Sequence, residues 1–359
     1  MYIKNLRLQG YRNIDNIDIN PSRGINVICG DNAQGKTNLL EGIWLFTGCR
    51  SFRGTRDCEL VGFDKGFARA EMCFYSGGRE QSAGIVIETC RQAKLNGVSL
   101  TSASRLMGEF LAVIFSPAHL SLIQDGPSER RKFLDMALCQ TDRRYAKALS
   151  EYNRVLLQRN SLLKDIPGHS ELLDTLDVWD EALAKAGAFI LEERIKYAEK
   201  LKDIAGGIYS GLSSSKEELS LYYKRKLPEG LPQSSEPAET LKKSRREDIL
   251  NGGTSYGIHR DDLTVNIDGI SAREFGSQGQ QRSGALALKL SEARIIKDIT
   301  GEEPVVLLDD VMSELDASRQ DYILNHIKGR QVFITCCDPP AGKRINEGNV
   351  YEIKKGSLV

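Results

Sequence analysis

The sequence predicts an α/β fold in which a mixed sheet with helices is interrupted by an inserted α-helical hairpin. Three observations support this fold class. A run rich in β-branched residues, Ile25 to Cys29, stands before a glycine-rich loop and a helical stretch. A second apolar run, Val305 to Leu308, ends in two aspartates near the C-terminus. Between these two runs, apolar residues recur at the three- and four-residue spacing of amphipathic helices.

The glycine-rich loop fits the phosphate-binding pattern G-x-x-x-x-G-K-[ST], in the strand–loop–helix context that the pattern requires. Side chains at its two glycines would block the approach of the backbone to a polyphosphate. We expect the lysine to contact the β- and γ-phosphates and the threonine to ligate Mg²⁺. The alternative is a glycine turn followed by a chance Lys-Thr pair. The predicted nucleotide-binding residues are Gly30, Asp31, Asn32, Ala33, Gln34, Gly35, Lys36 and Thr37.

The second apolar run delivers two acids at the carboxyl end of a strand. In this position Asp309 suits a Mg²⁺ ion held through water, and Asp310 suits a general base for the attacking water. The alternative is a strand that ends in a polar turn. Because most of the chain separates Asp309 from Thr37, the helical segment must be inserted between two halves of one nucleotide-binding domain.

Short strand-like runs separated by glycine turns give way to helical patterns near residue 126, and a polar stretch of the chain ends near residue 250. We therefore predict an N-terminal part of the ATPase head at 1–126, an inserted helical arm at 127–250 and a C-terminal part of the head at 251–359. Two heptad-like runs joined at Pro167-Gly168 predict an antiparallel hairpin with coiled-coil-like packing. Two ordinary amphipathic helices against a core would have the same pattern.

A further anion site is predicted before the long helix that precedes the acidic strand. A hydroxyl, a permissive glycine and free N–H groups at a helix N-terminus favour binding of a phosphate. A chain with two phosphate-binding elements and one nucleotide is explained by a head-to-tail ATP dimer, in which this segment caps the γ-phosphate on the partner's loop. The residues of this signature segment are Ser277, Gln278, Gly279 and Gln280.

The overall composition excludes few classes of protein. Lys and Arg total 49, as do Asp and Glu, so an anionic partner must be held by local patches. The sequence has no apolar run long enough for a membrane span and no signal-peptide core. Its eight cysteines are scattered without a C-x-x-C pair, which is typical of a reducing compartment. We therefore expect a cytoplasmic protein without a membrane partner.

These motifs together resemble the RecF family within the SMC-like group of ABC-type ATPases, over essentially the whole chain. The most specific strings are Asp31-Asn-Ala-Gln-Gly-Lys36 and Ser277-Gln-Gly-Gln-Gln-Arg282. The chain departs from the patterns in places. Ala118-His119 stands where the family usually has an acidic pair, and Thr335 stands where the ABC switch histidine is expected. Asp310 replaces the ABC glutamate, as it does in the family.

The resemblance implies an ABC-type ATPase head that binds ATP and Mg²⁺, forms an ATP-dependent homodimer and acts as a weak, DNA-stimulated switch ATPase. It also implies a role in recombinational DNA repair, replication restart and the SOS response. In that role the protein would help RecO and RecR to load RecA on gapped DNA or at single-strand/double-strand junctions.

Contacts with DNA are expected from the basic clusters in or near the arm. The first candidate cluster is Arg130, Arg131 and Lys132. Solvated helix faces are the alternative for these clusters, and Arg130 and Arg131 could instead anchor the insertion.

Two other classes of protein share parts of this pattern. An ABC transporter ATPase subunit would need a switch histidine and has no use for the long hairpin. An SMC-like chromosome-structure ATPase would need far longer arms with a hinge or metal hook.

Overall fold

The computed structural model describes residues 1–213, 215–337 and 348–359. The described chain forms two compact units, Met1–Ser121 with Ala285–Val359, and Leu122–Gly284. The sequence placed the boundaries at 126 and 250 instead. The second boundary differs because the strand at 262–267 pairs with the strand at 219–224, so residues 251–284 fold with the helical arm.

The first unit contains an antiparallel sheet with the strand order β2-β1-β4-β5-β6-β7. Buried apolar residues alternate with exposed polar ones along β4 and β5, as in a sheet with one solvated face. The strands are β1 (Tyr2–Tyr11), β2 (Ile14–Ile19), β4 (Ala68–Ser76), β5 (Arg79–Ile87), β6 (Arg91–Leu95) and β7 (Val98–Ser99).

A second sheet in the same unit has the order β15-β14-β3-β13-β12-β8, and its central strands are parallel. The predicted strands before the loop and before the aspartates are confirmed as β3 and β12. Their residues are almost entirely buried, as expected of a parallel sheet. The strands are β3 (Ile25–Cys29), β8 (Ala112–Phe115), β12 (Val305–Leu308), β13 (Val332–Cys336), β14 (Gly348–Lys354) and β15 (Ser357–Leu358).

The helix after the phosphate loop packs on both sheets, against β1 and β13. Its glycine at position 42 permits this packing, because a Cβ there would lie 2.7 Å from a methyl group of Leu8. The helices of this unit are α1 (Lys36–Trp44), α2 (Pro117–Leu120) and α9 (Ala317–His326).

The second unit holds the predicted helical insertion. The longest described helix, α5 (Leu176–Leu212), has 37 residues and is about 55 Å long at 1.5 Å per residue. It packs on α4 (Arg143–Asp165), on α6 (Pro237–Asn251) and on β9 of the sheet β11-β10-β9. The hairpin is therefore one part of a layered unit. The elements are α3 (Pro127–Thr141), α4 (Arg143–Asp165), α5 (Leu176–Leu212), β9 (Leu219–Lys224), α6 (Pro237–Asn251), β10 (Asp262–Ile267), β11 (Ile270–Ser271) and α7 (Ala272–Phe275). The next helix, α8 (Gln278–Thr300), begins in this unit and belongs to the first unit from Ala285 onward.

Among the described residues, every helix is too short or too polar to cross a lipid bilayer.

Candidate nucleotide-binding site

The phosphate loop connects β3 to α1, and its two glycines are required by geometry. Gly30 has φ +144°, and a Cβ there would lie 2.3 Å from the Ile353 carbonyl oxygen. Gly35 has φ +116°, and a Cβ there would lie 2.9 Å from Oδ1 of Asn13. Both dihedrals are unfavourable for a residue with a side chain. The loop conformation thus depends on the absence of side chains at the positions that the motif specifies.

The lysine of the loop is almost entirely buried, which is rare for this residue type. The Nζ atom of Lys36 donates hydrogen bonds to the carbonyl oxygens of Gly30 at 2.6 Å and Asp31 at 3.2 Å. It also lies 3.8 Å from Sγ of Cys337. The ammonium group is therefore held over the curve of the loop, where a polyphosphate would provide anionic partners.

The predicted metal ligands meet although they lie in distant parts of the sequence. Oγ1 of Thr37 donates a hydrogen bond to Oδ1 of Asp309 at 2.8 Å. Burial raises the pKa of Asp309 above its ordinary value; hydrogen bonds from Thr37 and Thr335 oppose this shift, and the charge of Asp310 adds to it. A hydroxyl and a carboxylate are oxygen ligands that suit Mg²⁺, and a cation would compensate the buried charge of Asp309.

In the predicted base, Asp310, hydrogen bonds fix the backbone but not the carboxylate. Its φ of +52° lies in the left-handed region, which aspartate tolerates better than most residues. Its N–H donates to Oγ1 of Thr335 at 2.8 Å, and its carbonyl accepts from Oγ of Ser313 at 2.7 Å. The carboxylate has no hydrogen-bond or ion-pair partner among the described residues and is half-buried, so it is available to a bound water.

Behind the loop, α1 carries a fully buried carboxylate, that of Glu41. Glu41 forms a bidentate ion pair with Arg12, in which Nε donates to Oε2 and Nη2 donates to Oε1 at 2.9 Å. It also accepts a hydrogen bond from Oγ of Ser51. Nη1 of Arg53 lies 3.9 Å from Glu41 and donates to Asn38 at 2.9 Å. The charge of Arg53 also opposes the rise in the pKa of Asp309. A glutamate on the buried face of a predicted helix was the available signal, because such a charge needs a cationic partner.

The C-terminal hairpin also supports the loop, which the sequence did not indicate. The N–H of Gly356 donates to the carbonyl oxygen of Gln34 at 3.0 Å, and the N–H of Lys355 donates to Oε1 of Gln34 at 2.5 Å. A Cβ on Gly356 would lie 1.8 Å from the Asn13 carbonyl oxygen. The turn between β14 and β15 therefore fits closely against the loop.

The signature segment lies at the start of α8, as the sequence predicts for an anion site. Ser277 and Gln280 form a reciprocal cap: the Gln280 N–H donates to Oγ of Ser277 at 3.2 Å, and the Ser277 N–H donates to Oε1 of Gln280 at 2.8 Å. Nε2 of Gln280 also donates to Glu217 at 2.8 Å. Ser277 and Gln278 are exposed, so the helix N-terminus is accessible to a ligand.

The basic cluster proposed for DNA requires a correction at its first residue. Arg130 is 3% exposed. Its guanidinium binds both carboxylate oxygens of Asp262, at 2.8 and 2.9 Å, and its Nη1 donates to three backbone carbonyls. Arg130 faces inward on α3 and joins this helix to β10. Arg131 is half-buried and donates to the Asp261 carbonyl at 2.6 Å, whereas Lys132 is exposed.

Comparison with known proteins identifies the family of this chain. The family described as RecF/RecN/SMC N terminal domain matches residues 2–355. The DNA replication and repair protein RecF of Clostridium acetobutylicum is 40% identical over 373 residues, which cover 100% of this chain and 99% of the relative.

Solved structures give the same result. The chain matches the recombination mediator protein RecF-ATP in the RecFOR pathway with 38% identity and a TM-score of 0.90, covering 100% of this chain and 97% of that one. A Smc head domain derived from Pyrococcus furiosus matches with 17% identity and a TM-score of 0.54, covering 99% of this chain and 95% of that one. The second likeness shows the fold alone, that of an Smc head domain.

Proposed function

This chain belongs to the RecF family of SMC-type proteins, and from that premise we propose that it binds ATP and acts in DNA replication and repair. One observation carries the proposal more than any other. Oγ1 of the phosphate-loop residue Thr37 lies 2.8 Å from Oδ1 of the strand-end residue Asp309, and Thr37 directly follows the loop lysine in the sequence. This is the arrangement that holds the phosphates and the metal of a nucleoside triphosphate in P-loop proteins.

Mg²⁺ is the proposed second cofactor. Thr37 and Asp309 would hold it, the threonine directly and the aspartate through water, and the bound ion would screen negative charge on the phosphates. Asp310 would accept the proton of the attacking water. With one aspartate as base, we infer slow hydrolysis that is stimulated by DNA and works as a switch.

The accessible N-terminus of α8 supports a dimer in which each signature segment caps the ATP of the partner. Ser277 offers an exposed hydroxyl, and the positive end of the α8 dipole favours a γ-phosphate at this position. ATP would then act as part of the interface, so that nucleotide binding and dimerisation are coupled.

DNA is the proposed macromolecular partner, bound at gaps or single-strand/double-strand junctions. Because Arg130 is buried and paired with Asp262, we expect the exposed cations of the second unit to contact the DNA phosphates instead. Each phosphate contact would release counterions and make the affinity depend on salt. Candidate residues are Lys132, Arg144, Lys224, Lys226, Lys242 and Lys243.

The proposed pathway is the one named for the solved relative, RecFOR. In it this protein would cooperate with RecO and RecR and assist the loading of RecA, in recombinational repair, replication restart and the SOS response.

Sedimentation velocity tests the proposal directly. The protein is measured alone, with ATP and Mg²⁺, and with ATP, Mg²⁺ and either a gapped or a blunt duplex. We expect a monomer alone, a dimer with ATP, and faster sedimentation with the gapped duplex than with the blunt one. A protein that stays monomeric with ATP and does not associate with either duplex would contradict it.

A further inference from the structure

The hydroxyl of Thr335 lies between the two acidic residues of the site. Thr335 is 1% exposed and belongs to β13, which runs parallel to β12 with Leu308 opposite Ile334. Its Oγ1 accepts the Asp310 N–H at 2.8 Å and lies 3.0 Å from Oδ1 of Asp309, to which it donates. One oxygen atom is thus bonded to both aspartates.

This contact determines how the strand ends. The N–H of Asp309 still donates to a backbone carbonyl, that of Phe115 on β8. The next N–H, that of Asp310, donates to the Thr335 side chain instead, and there the backbone enters the left-handed region. A non-glycine residue in this conformation stores strain and persists only when its surroundings hold it. Among the described residues, Thr335 and Ser313 make the side-chain contacts to the Asp310 backbone.

We propose that Thr335 is a positioning residue for ATP hydrolysis, which sets the direction of the Asp310 carboxylate relative to Asp309 and Thr37. The inference rests on the proposed function of the site. A hydroxyl is needed because the same atom must accept from one group and donate to another. Thr335 is too deeply buried to act on the nucleotide itself. Asp309 has a second hydroxyl donor in Thr37, whereas the N–H of Asp310 is held by Thr335, so the effect of Thr335 on turnover is exerted through Asp310.

The same geometry explains why the proposed general base has the short side chain of aspartate. Left-handed backbone is tolerated by Asp and Asn, whose short side chains bond locally, and less well by longer residues. Aspartate at 310, in place of the glutamate of ABC-type ATPases, therefore fits the turn that Thr335 stabilises.

The test uses Thr335→Val, which keeps the shape and removes the hydroxyl, and Thr335→Ser, which restores it. We expect kcat for ATP hydrolysis to fall by about 10- to 100-fold in the valine variant, because misdirected groups lose positional catalysis. The Kd for a fluorescent ATP analogue with Mg²⁺ should stay within about threefold. The serine variant should hydrolyse within about threefold of wild type.

Thr47→Val is the matched control, since Thr47 is also a buried threonine of the first unit but donates to the Trp44 carbonyl. It should leave kcat unchanged. If Thr335→Val does not fold, Thr335→Cys replaces it, because a thiol is similar in size and a weak hydrogen-bonding group. Thermal melting monitors folding in every variant.

A double-mutant cycle separates this inference from the proposed function. In an Asp310→Asn background, Thr335→Val should cause no further loss of turnover, because the residue acts through the lost base. Wild-type turnover in Thr335→Val, or equal loss in the valine and serine variants, would overturn the positioning role while Asp310→Asn still reports on the site. Wild-type turnover in Asp310→Asn would overturn the proposed base and the positioning role together.

Discussion

Thr37 donates a hydrogen bond to Asp309 across 2.8 Å, although 272 positions separate the two residues. The bond joins the first turn of α1 to the end of β12, so the two halves of the nucleotide-binding unit meet at the atoms that would hold a metal. Substitutions at this pair and at the residues that surround it should change nucleotide binding, dimerisation or stability in distinct ways.

Lys36→Ala should weaken ATP binding by roughly 10- to 100-fold, because a charge-assisted hydrogen bond to phosphate contributes about 1.5–3 kcal/mol. Affinity is measured by titration with a fluorescent ATP analogue. Lys94→Ala removes an exposed lysine on β6 and serves as the control. Equal ATP affinities in the two variants would exclude a role of Lys36 in nucleotide binding.

Asp309→Asn should raise the melting temperature of the nucleotide-free protein at pH 8 by on the order of 1–2 °C. Because the pKa of Asp309 is raised in the folded state, the ionised carboxylate destabilises the fold above that pKa, and the penalty disappears as the pH falls below its unfolded value. The gain should therefore vanish near pH 4. Asp64→Asn, at an exposed site, should show no such pH dependence.

The same Asp309→Asn variant should lose the extra ATP affinity that Mg²⁺ provides, because the buried charge that would attract the ion is absent. A variant that is destabilised at pH 8 and still responds fully to Mg²⁺ would contradict the assignment of Asp309.

Ser277→Arg should bind ATP normally as a monomer but fail to dimerise with it, because a bulky cation would cover the N-terminus of α8. Sedimentation with ATP measures this, and Ser104→Arg, at an exposed serine of the first unit, is the control. Mixing the Ser277→Arg and Lys36→Ala proteins should produce dimers with one intact composite site. A Ser277→Arg protein that dimerises as readily as the control would exclude contribution from the partner.

Gly356→Ala should reduce ATP affinity by about 5- to 10-fold, because the new methyl group would displace the hairpin turn that bonds to Gln34, at a cost of order 1 kcal/mol or more. Gly301→Ala is a close control: its φ is +75°, beside +73° at Gly356, and a Cβ at Gly301 would project into open space. The two variants share backbone strain and differ only in the clash. If both bind ATP equally, the hairpin does not support the loop.

Lys132→Ala should lower DNA affinity and reduce the slope of log affinity against log salt by about one, as loss of one phosphate contact does. Arg130→Ala should instead destabilise the fold by on the order of 3 kcal/mol, because it leaves Asp262 without its partner. Salt titrations of DNA binding and thermal melts distinguish the two effects. A normal melt for Arg130→Ala together with a reduced salt slope would reinstate Arg130 as a DNA contact.

The phosphate loop, the strand that ends in Asp309 and Asp310, and the helical insertion could all be predicted from the order of the amino acids. These features depend on local chemistry. Gly30 and Gly35 must adopt positive φ wherever the loop occurs, and the spacing of apolar residues makes α4 and α5 amphipathic in any surroundings.

The partners of those residues became known only from the folded chain. The burial of Arg130 against Asp262, the bridge from Thr335 to the two aspartates and the fit of Gly356 against Asn13 all join distant parts of the chain. No local pattern encodes them, because they depend on the order of strands in a sheet and on strand register, which are set by packing of the whole unit. The residues that carry the chemistry could thus be found in the sequence, whereas the contacts by which other residues hold them in place could not.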